Sequence, residues 1–309
     1  MNTAASASET SALPLQSPSV LSDRERYFFD LRGYLVLKNA LSSEHLLAIN
    51  HTLDQYLDMD PPLAHGDWNG CVQAHTFGGD DGMNLQQIYE AGEPFEQLID
   101  HGAWYEKIRT LIGIENTFDA HHGPMFIDEN FVSLRGPGKA IGMHSGGADH
   151  TMRTHFGFDN GRFHCGQINA LMAFKDIGPG DGATMVIPGS HKSNLIHPDW
   201  EQHRMKEGEN TSGDGFEGAI EVHMHAGDVL LFTDAICHGA ARRVNEGLRR
   251  IGVYRYGPSW GFFRHGYRPS AALLKRLSPQ QRQIVWPHQA IPRTPNRQPN
   301  TPAPQELIK

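Results

Sequence analysis

The alternation of apolar and polar positions changes rhythm once along the chain. From Ser22 the stretch SDRERYFFDLRG carries apolar residues at helical spacing, with Ser22 and Glu25 a capping box apart and Gly33 as a stop. YLVLKN follows as a short strand. SSEHLLAINHTLDQYLDM then predicts a second helix, capped by Ser43, with Leu46, Leu47, Ile49, Leu53 and Leu57 as its apolar stripe. PFEQLIDHGAWYEKIRTLIG predicts a further helix broken near Gly102. Between them, Ala64 to Asn84 reads as a long Gly/Asp loop bearing Trp68 and Phe77, a candidate lid or binding loop.

From about Thr117 the texture becomes short strands divided by Gly, Pro, Asp and Asn: MFIDENFVSL, KAIGMH, QINALMAF, ATMVIP, IEVHMH, DVLLFT and RRIGVYRY. Evenly spaced strands with turn signals predict a mainly β fold, a double-sheet jelly roll with the helical first half wrapped on it. THFGFDNGRFHCG predicts a hairpin with Asn160-Gly161 at its tip. Pairing outward sets Phe158 opposite Phe163 and Phe156 opposite Cys165, leaving His155, His164, Asp159 and Arg162 on the other face. The two histidines and the aspartate can be read as a metal-binding set, but the solvated side of a hairpin is the plainer reading.

Composition narrows the class. The 309 residues are 39% hydrophobic and 20% charged, with a net charge of -8. No run of Lys and Arg reaches five residues, which argues against nucleic acid or an anionic membrane as the main partner. No apolar run is long enough to span a bilayer. The three cysteines, Cys71, Cys165 and Cys237, form no CxxC pair, so neither a disulfide framework nor a structural zinc site is expected. With no secretory signal at the start, a reducing, cytoplasmic setting is the expectation. Residues 1–20, rich in Ser, Ala and Pro, read as a flexible arm, 287–309 as a Pro-rich flexible tail, and 21–286 as a single domain.

The candidate chemistry sits in the β half. His144 ends one strand, in GMHSGGADH, and His238 follows a buried-looking strand in AGDVLLFTDAICHGAAR. Strand ends meet at the mouth of a jelly roll, where a pocket belongs. In LRRIGVYRYGP, alternation puts Arg249 on the face of Ile251 and Val253, and Arg250 on that of Leu248, Gly252 and Tyr254. If the Ile/Val face looks inward, Arg249 carries its charge into the barrel and needs an acidic partner, either a carboxylate ligand or an Asp or Glu of the chain. Trp68, Phe77, Trp260, Phe262 and Phe263 are candidates to line a pocket or simply to pack.

DRERYFFDLRGYLVLKNALSSEHL, and then VIPGSHK, AGDVLLF, HG and LRRIGVYRY in that order, resemble the phytanoyl-CoA dioxygenase family over most of residues 22 to 260. The resemblance implies a jelly roll holding non-haem Fe(II) and using 2-oxoglutarate and O₂. It implies His144 and His238 as iron ligands, and Arg249 as the grip on the distal carboxylate of 2-oxoglutarate. Relatives place the iron carboxylate in a His-x-Asp pattern, whereas this chain has His144-Ser145-Gly146. Ala240 likewise stands where relatives often have a hydroxyl that helps hold the co-substrate.

Three readings of the missing carboxylate stay open. Asp149 or water completes the shell, and the enzyme hydroxylates or desaturates a small-molecule metabolite. Alternatively chloride takes the corner left by Gly146, as in halogenases of this broad group that carry His-x-Gly or His-x-Ala. The third reading is a binding protein that keeps the fold without turnover. The acyl-CoA of the family name does not follow as the substrate.

Overall fold

A computed structural model describes residues 20–76, 82–113, 118, 120–138, 140–148, 150–206, 212–261 and 267–287. Residues 1–19 of the expected arm, 288–309 of the expected tail, Phe77, Phe262, Phe263 and Asp149 lie outside the described residues. In chain order the elements are α1 (Asp23–Arg32), β1 (Tyr34–Leu37), α2 (Ser43–Leu57), β2 (Trp68–Asn69), β3 (Val72–Thr76), β4 (Gly82–Gln86), α3 (Glu93–Glu96) and α4 (Tyr105–Ile112). There follow β5 (Met125–Arg135), β6 (Ile141–His144), β7 (Phe156–Asp159), β8 (Arg162–Cys165), β9 (Ile168–Ala173), β10 (Thr184–Val186) and α5 (Trp200–His203). The chain continues with β11 (Ile220–Val222), β12 (Val229–Thr233), β13 (His238–Ala240), β14 (Arg249–Pro258), α6 (Ala271–Arg276) and α7 (Pro279–Val285).

Two sheets make the jelly roll. The larger runs β1-β12-β9-β14-β5-β4-β3-β2 and the smaller β11-β10-β13-β6, while β7 and β8 form a separate hairpin. Every predicted strand of the second half is present. Strand alternation sorts the larger sheet into two faces. Ile251, Val253, Leu171 and Phe232 join Val186 and Val222 of the smaller sheet in the core of the sandwich. Tyr254, Tyr256, Ala170 and Met172 point the other way, onto Phe29, Ile49, Phe95 and Ile108 of the helical layer. The tyrosines stay dry at no cost in lost hydrogen bonds, because Tyr254 donates to the Phe95 carbonyl (2.8 Å) and Tyr256 to that of Ile99 (2.9 Å).

Three local expectations are corrected. The cap of α2 is Ser42, whose hydroxyl accepts from the His45 N–H, so Ser43 is the first helical residue. Of the proposed stripe on α2, Ile49 and Leu53 are buried and Leu47 is exposed. The Ala64–Asn84 region is not simply a loop: β2, β3 and β4 add three antiparallel strands to the free edge of β5. A strand edge with unpaired N–H and C=O groups recruits them although their sequences are short and polar. The hairpin at Asn160-Gly161 forms as expected, with Phe156↔Cys165 and Phe158↔Phe163 in register and both tip residues left-handed (φ 48° and 76°). Among the described residues no helix is long and apolar enough to cross a membrane.

The cap assignment is testable by urea denaturation. Ser42→Ala should cost about 1 kcal/mol, and Ser43→Ala only a few tenths.

Candidate metal centre

His144 and His238 come from adjacent strands and face each other directly. They are register partners in the β6–β13 ladder, and their ring centroids lie 3.9 Å apart. Each ring is tethered by its own strand: Nδ1 of His238 lies 2.8 Å from the Ile236 carbonyl, and Nδ1 of His144 3.3 Å from that of Gly142. A carbonyl only accepts, so Nδ1 carries the proton and Nε2 keeps its lone pair. Burial keeps both rings neutral: it lowers the pKa of His144 and, together with the neighbouring His144, that of His238 to about 3. Two neutral imidazoles with converging free nitrogens are a fitting donor set for a divalent transition metal.

The corner after His144 is closed to any side chain. Ser145, Gly146 and Gly147 are all left-handed (φ 63°, 68° and 79°), and the Gly146 N–H donates to the Ala235 carbonyl at 3.0 Å. A Cβ at residue 146 would sit 2.3 Å from the Cβ of Cys237 and 2.8 Å from its Cα. The glycine is therefore required by the path of the chain, and an aspartate at this position does not fit that path. Among the described residues no group of three His, Cys, Asp or Glu side chains gathers at metal-binding distance, which includes the His155, His164 and Asp159 set of the hairpin. There His164 pairs with Asp159 alone.

A carboxylate the sequence reading passed over stands nearby. Asp234 is 1% exposed, ion-paired to Arg153 and bonded to the Asn169 amide (2.9 Å). Burial opposes its charge, but His238, Arg255, Arg153 and Asn169 outweigh burial and hold it at about 2. The signal was present as a lone acid at the end of the apolar run DVLLFTDAIC.

Arg249 lies inside the barrel as alternation predicted. It is 5% exposed, on the Ile251/Val253 face, while Arg250 points to the helical layer and binds Asn50 (3.0 Å) and Asp54 (2.6 Å) of α2. Its Nη1 donates to the Gly182 carbonyl and its Nε has no hydrogen-bond partner. The chain supplies no carboxylate of its own: among the described ion pairs Asp181 serves Arg243 (2.7 Å), not Arg249. Arg135, also buried, is the register partner of Arg249 across β5–β14. Burial, and then the guanidiniums of Arg135 and Arg243, pull Arg249 down to about 9, still charged at neutral pH. A buried guanidinium without a carboxylate partner is a group that an anionic ligand can satisfy. Sequence alone flagged only Arg249, because Arg135 and Arg243 meet it through tertiary pairing.

The sequence profile of the family described as Phytanoyl-CoA dioxygenase (PhyH) matches residues 29–251, most of the chain. The chain belongs to the phytanoyl-CoA dioxygenase family. A probable phytanoyl-CoA dioxygenase of Caenorhabditis elegans is 23% identical over 248 residues, 75% of this chain and 74% of that protein. Among solved structures, HygX of Streptomyces hygroscopicus with nickel and 2-oxoglutarate bound superposes with a TM-score of 0.64 at 22% identity, over 82% of this chain and 94% of its own. SnoK, a non-haem α-ketoglutarate-dependent carbocyclase of nogalamycin biosynthesis, gives 0.52 at 16% identity, over 85% and 94%. Similarity at this level establishes the shared jelly roll. Within the phytanoyl-CoA dioxygenase family, the left-handed turn at Gly146 marks this chain's departure from the His-x-Asp pattern.

Two measurements check the centre. Gly146→Ala should cost about 2–4 kcal/mol in urea denaturation, from left-handed strain and overpacking on Cys237. The metal-free protein should also lose stability on mild acidification. Unfolded histidines take up protons near 6.5, but the folded forms of His101 and His191 resist until about 4 and that of His238 until about 3. Each folded pKa is depressed, so the stabilising effect is complete above 6.5 and is lost as pH falls through that window. The urea midpoint at pH 5 should lie below that at pH 7.5.

Proposed function

We propose that this chain is a non-haem Fe(II)- and 2-oxoglutarate-dependent oxygenase acting on a small organic molecule. His144 and His238 hold the metal through Nε2, and Arg249, with Arg135 beside it, receives the distal carboxylate of 2-oxoglutarate. The observation that carries this reading is the pairing of two tethered, neutral imidazoles across one strand ladder, in a barrel that also buries an arginine without a carboxylate of its own. HygX has been solved with iron, with nickel and 2-oxoglutarate, and with hygromycin B in addition, which supports the same cofactors and a small-molecule substrate here.

With iron, 2-oxoglutarate and O₂ bound, the metal supplies oxidation of the substrate coupled to decarboxylation of 2-oxoglutarate to succinate. The chain's own residues do the positioning. The Gly142 and Ile236 carbonyls fix the two ring orientations, and Asp234 contributes negative charge close to the histidines while Arg153 and Asn169 occupy its oxygens. With Ala240 lacking a hydroxyl, the grip on 2-oxoglutarate falls to the guanidiniums.

A second reading, halogenation, is favoured by the Gly146 turn. No side chain of residue 146 fits at that corner, which leaves it to Asp149 or water under the first reading and to chloride under the second.

Anaerobic addition of Fe(II) and 2-oxoglutarate should produce a visible charge-transfer band. Arg249→Ala should raise the 2-oxoglutarate concentration needed for half its intensity at least ten-fold, and His238→Ala should abolish it. A wild-type protein without the band overturns the proposal. A shift of the band when chloride replaces nitrate selects halogenation, and an unmoved band selects oxygenation.

A further inference from the structure

We propose that the cleft beside the histidines is built for an uncharged, hydroxyl-bearing ring compound and rejects fatty acids and their CoA thioesters. The assignment rests on the reading of His144 and His238 as the metal end of the site. The cleft has a volume of about 720 Å³. Gly147 and Ala235 form part of its wall, and each lies three residues from a metal histidine, His144 and His238 respectively. A cavity of this size encloses a medium-sized organic molecule.

Its chemistry is specific in what it omits. Among the described residues that line it there is no Asp, Glu, Lys or Arg. The one fixed cation in the wall segment, Arg153, turns away to pair with buried Asp234. A carboxylate, phosphate or ammonium entering the cleft would lose water without meeting a fixed countercharge among the described lining side chains. What the wall does offer is groups that both donate and accept, the imidazoles of His150 and His155, while His164 pairs with Asp159 and the Thr151, Thr154 and Ser193 hydroxyls bond within their own turns. Substrate hydroxyls have the same dual character and match such a wall. Phe156, Met152 and Trp260 add apolar faces on which the C–H face of a ring can lie.

The wall is preformed. Gly166 donates to the His155 carbonyl at 2.8 Å, and a Cβ there would lie 1.8 Å from the Met152 carbonyl oxygen, so β8 and the 152–155 turn are in direct backbone contact. Phe156 is wedged edge-on against the His191 ring at 4.4 Å. A rigid wall selects by complementarity and does not remould around a charged guest.

The test is calorimetric titration of the Fe(II)–2-oxoglutarate protein, kept anaerobic, with two probe sets. One set is phenyl β-D-glucopyranoside, uridine and myo-inositol, and the other is palmitate, palmitoyl-CoA and spermidine. At least one neutral probe should bind ten-fold or more tighter than every charged one. His155→Phe and Trp260→Ala should each weaken it five-fold or more, with the 2-oxoglutarate band unchanged. Met152→Lys should gain palmitate binding by placing a cation in the wall. Tightest binding by a charged probe, or no effect of either wall variant, overturns the assignment. Neutral-probe binding without the 2-oxoglutarate band would sink the oxygenase reading and leave the cleft assignment standing.

Discussion

The β6–β13 pairing is the contact on which this end of the molecule depends. His144 and His238 meet only because those two short strands lie side by side with these residues paired, just before the register shifts between His238 and Ala240, and a slip of one residue would turn one imidazole to the opposite face. The register is pinned from outside the ladder. The Ala235 carbonyl holds the Gly146 N–H, the Cys237 carbonyl accepts from Ile187, and the Cys237 N–H donates to the Ser190 hydroxyl at 2.7 Å. Residues 233–238 thus tie the turn after one histidine to the approach of the other. Neither imidazole can move without disturbing both sheets' connections.

Around that pair the sandwich buries charge unevenly. Asp181 pairs with Arg243 and lies near Arg249, which has no ion pair of its own among the described residues, whereas Asp234 is shared by Arg153 and the Asn169 amide beside the histidines. Leu171, Leu230, Ile251 and Val253 make the surrounding core apolar, so these charges interact through a medium that screens them weakly. Unmatched positive charge inside such a core costs stability, and a protein keeps it when a ligand completes the balance. Holding Arg249 buried without a carboxylate of its own costs the fold stability.

The strands from Met125 onward were legible because each is a short, apolar-rich run bounded by turn residues. The faces of Arg249 and Arg250 followed from the same period of two, which no tertiary context alters. The cap of α2 was ambiguous because Ser42 and Ser43 are equally able to cap, and only the backbone entering the helix chooses. The β2–β4 extension was illegible for a different reason: WN and VQAHT carry little strand signal, and the free edge of β5 makes them strands. That His144 meets His238 came from family resemblance, since nothing local joins residues so far apart. Asp234 was hidden as the polar end of an apolar strand, and Arg135 as a residue whose importance lies wholly in its cross-strand neighbour.

The turn at Ser145–Gly147 has a consequence for how such a site can change over time. An aspartate is one codon step from many glycines, yet here that step meets the Cys237 backbone and a left-handed φ at once. Placing a carboxylate at residue 146 would need the turn to be re-laid and residue 237 to retreat together. The departure therefore behaves as a ratchet. Descendants of this chain can vary the cleft more freely than they can vary residue 146.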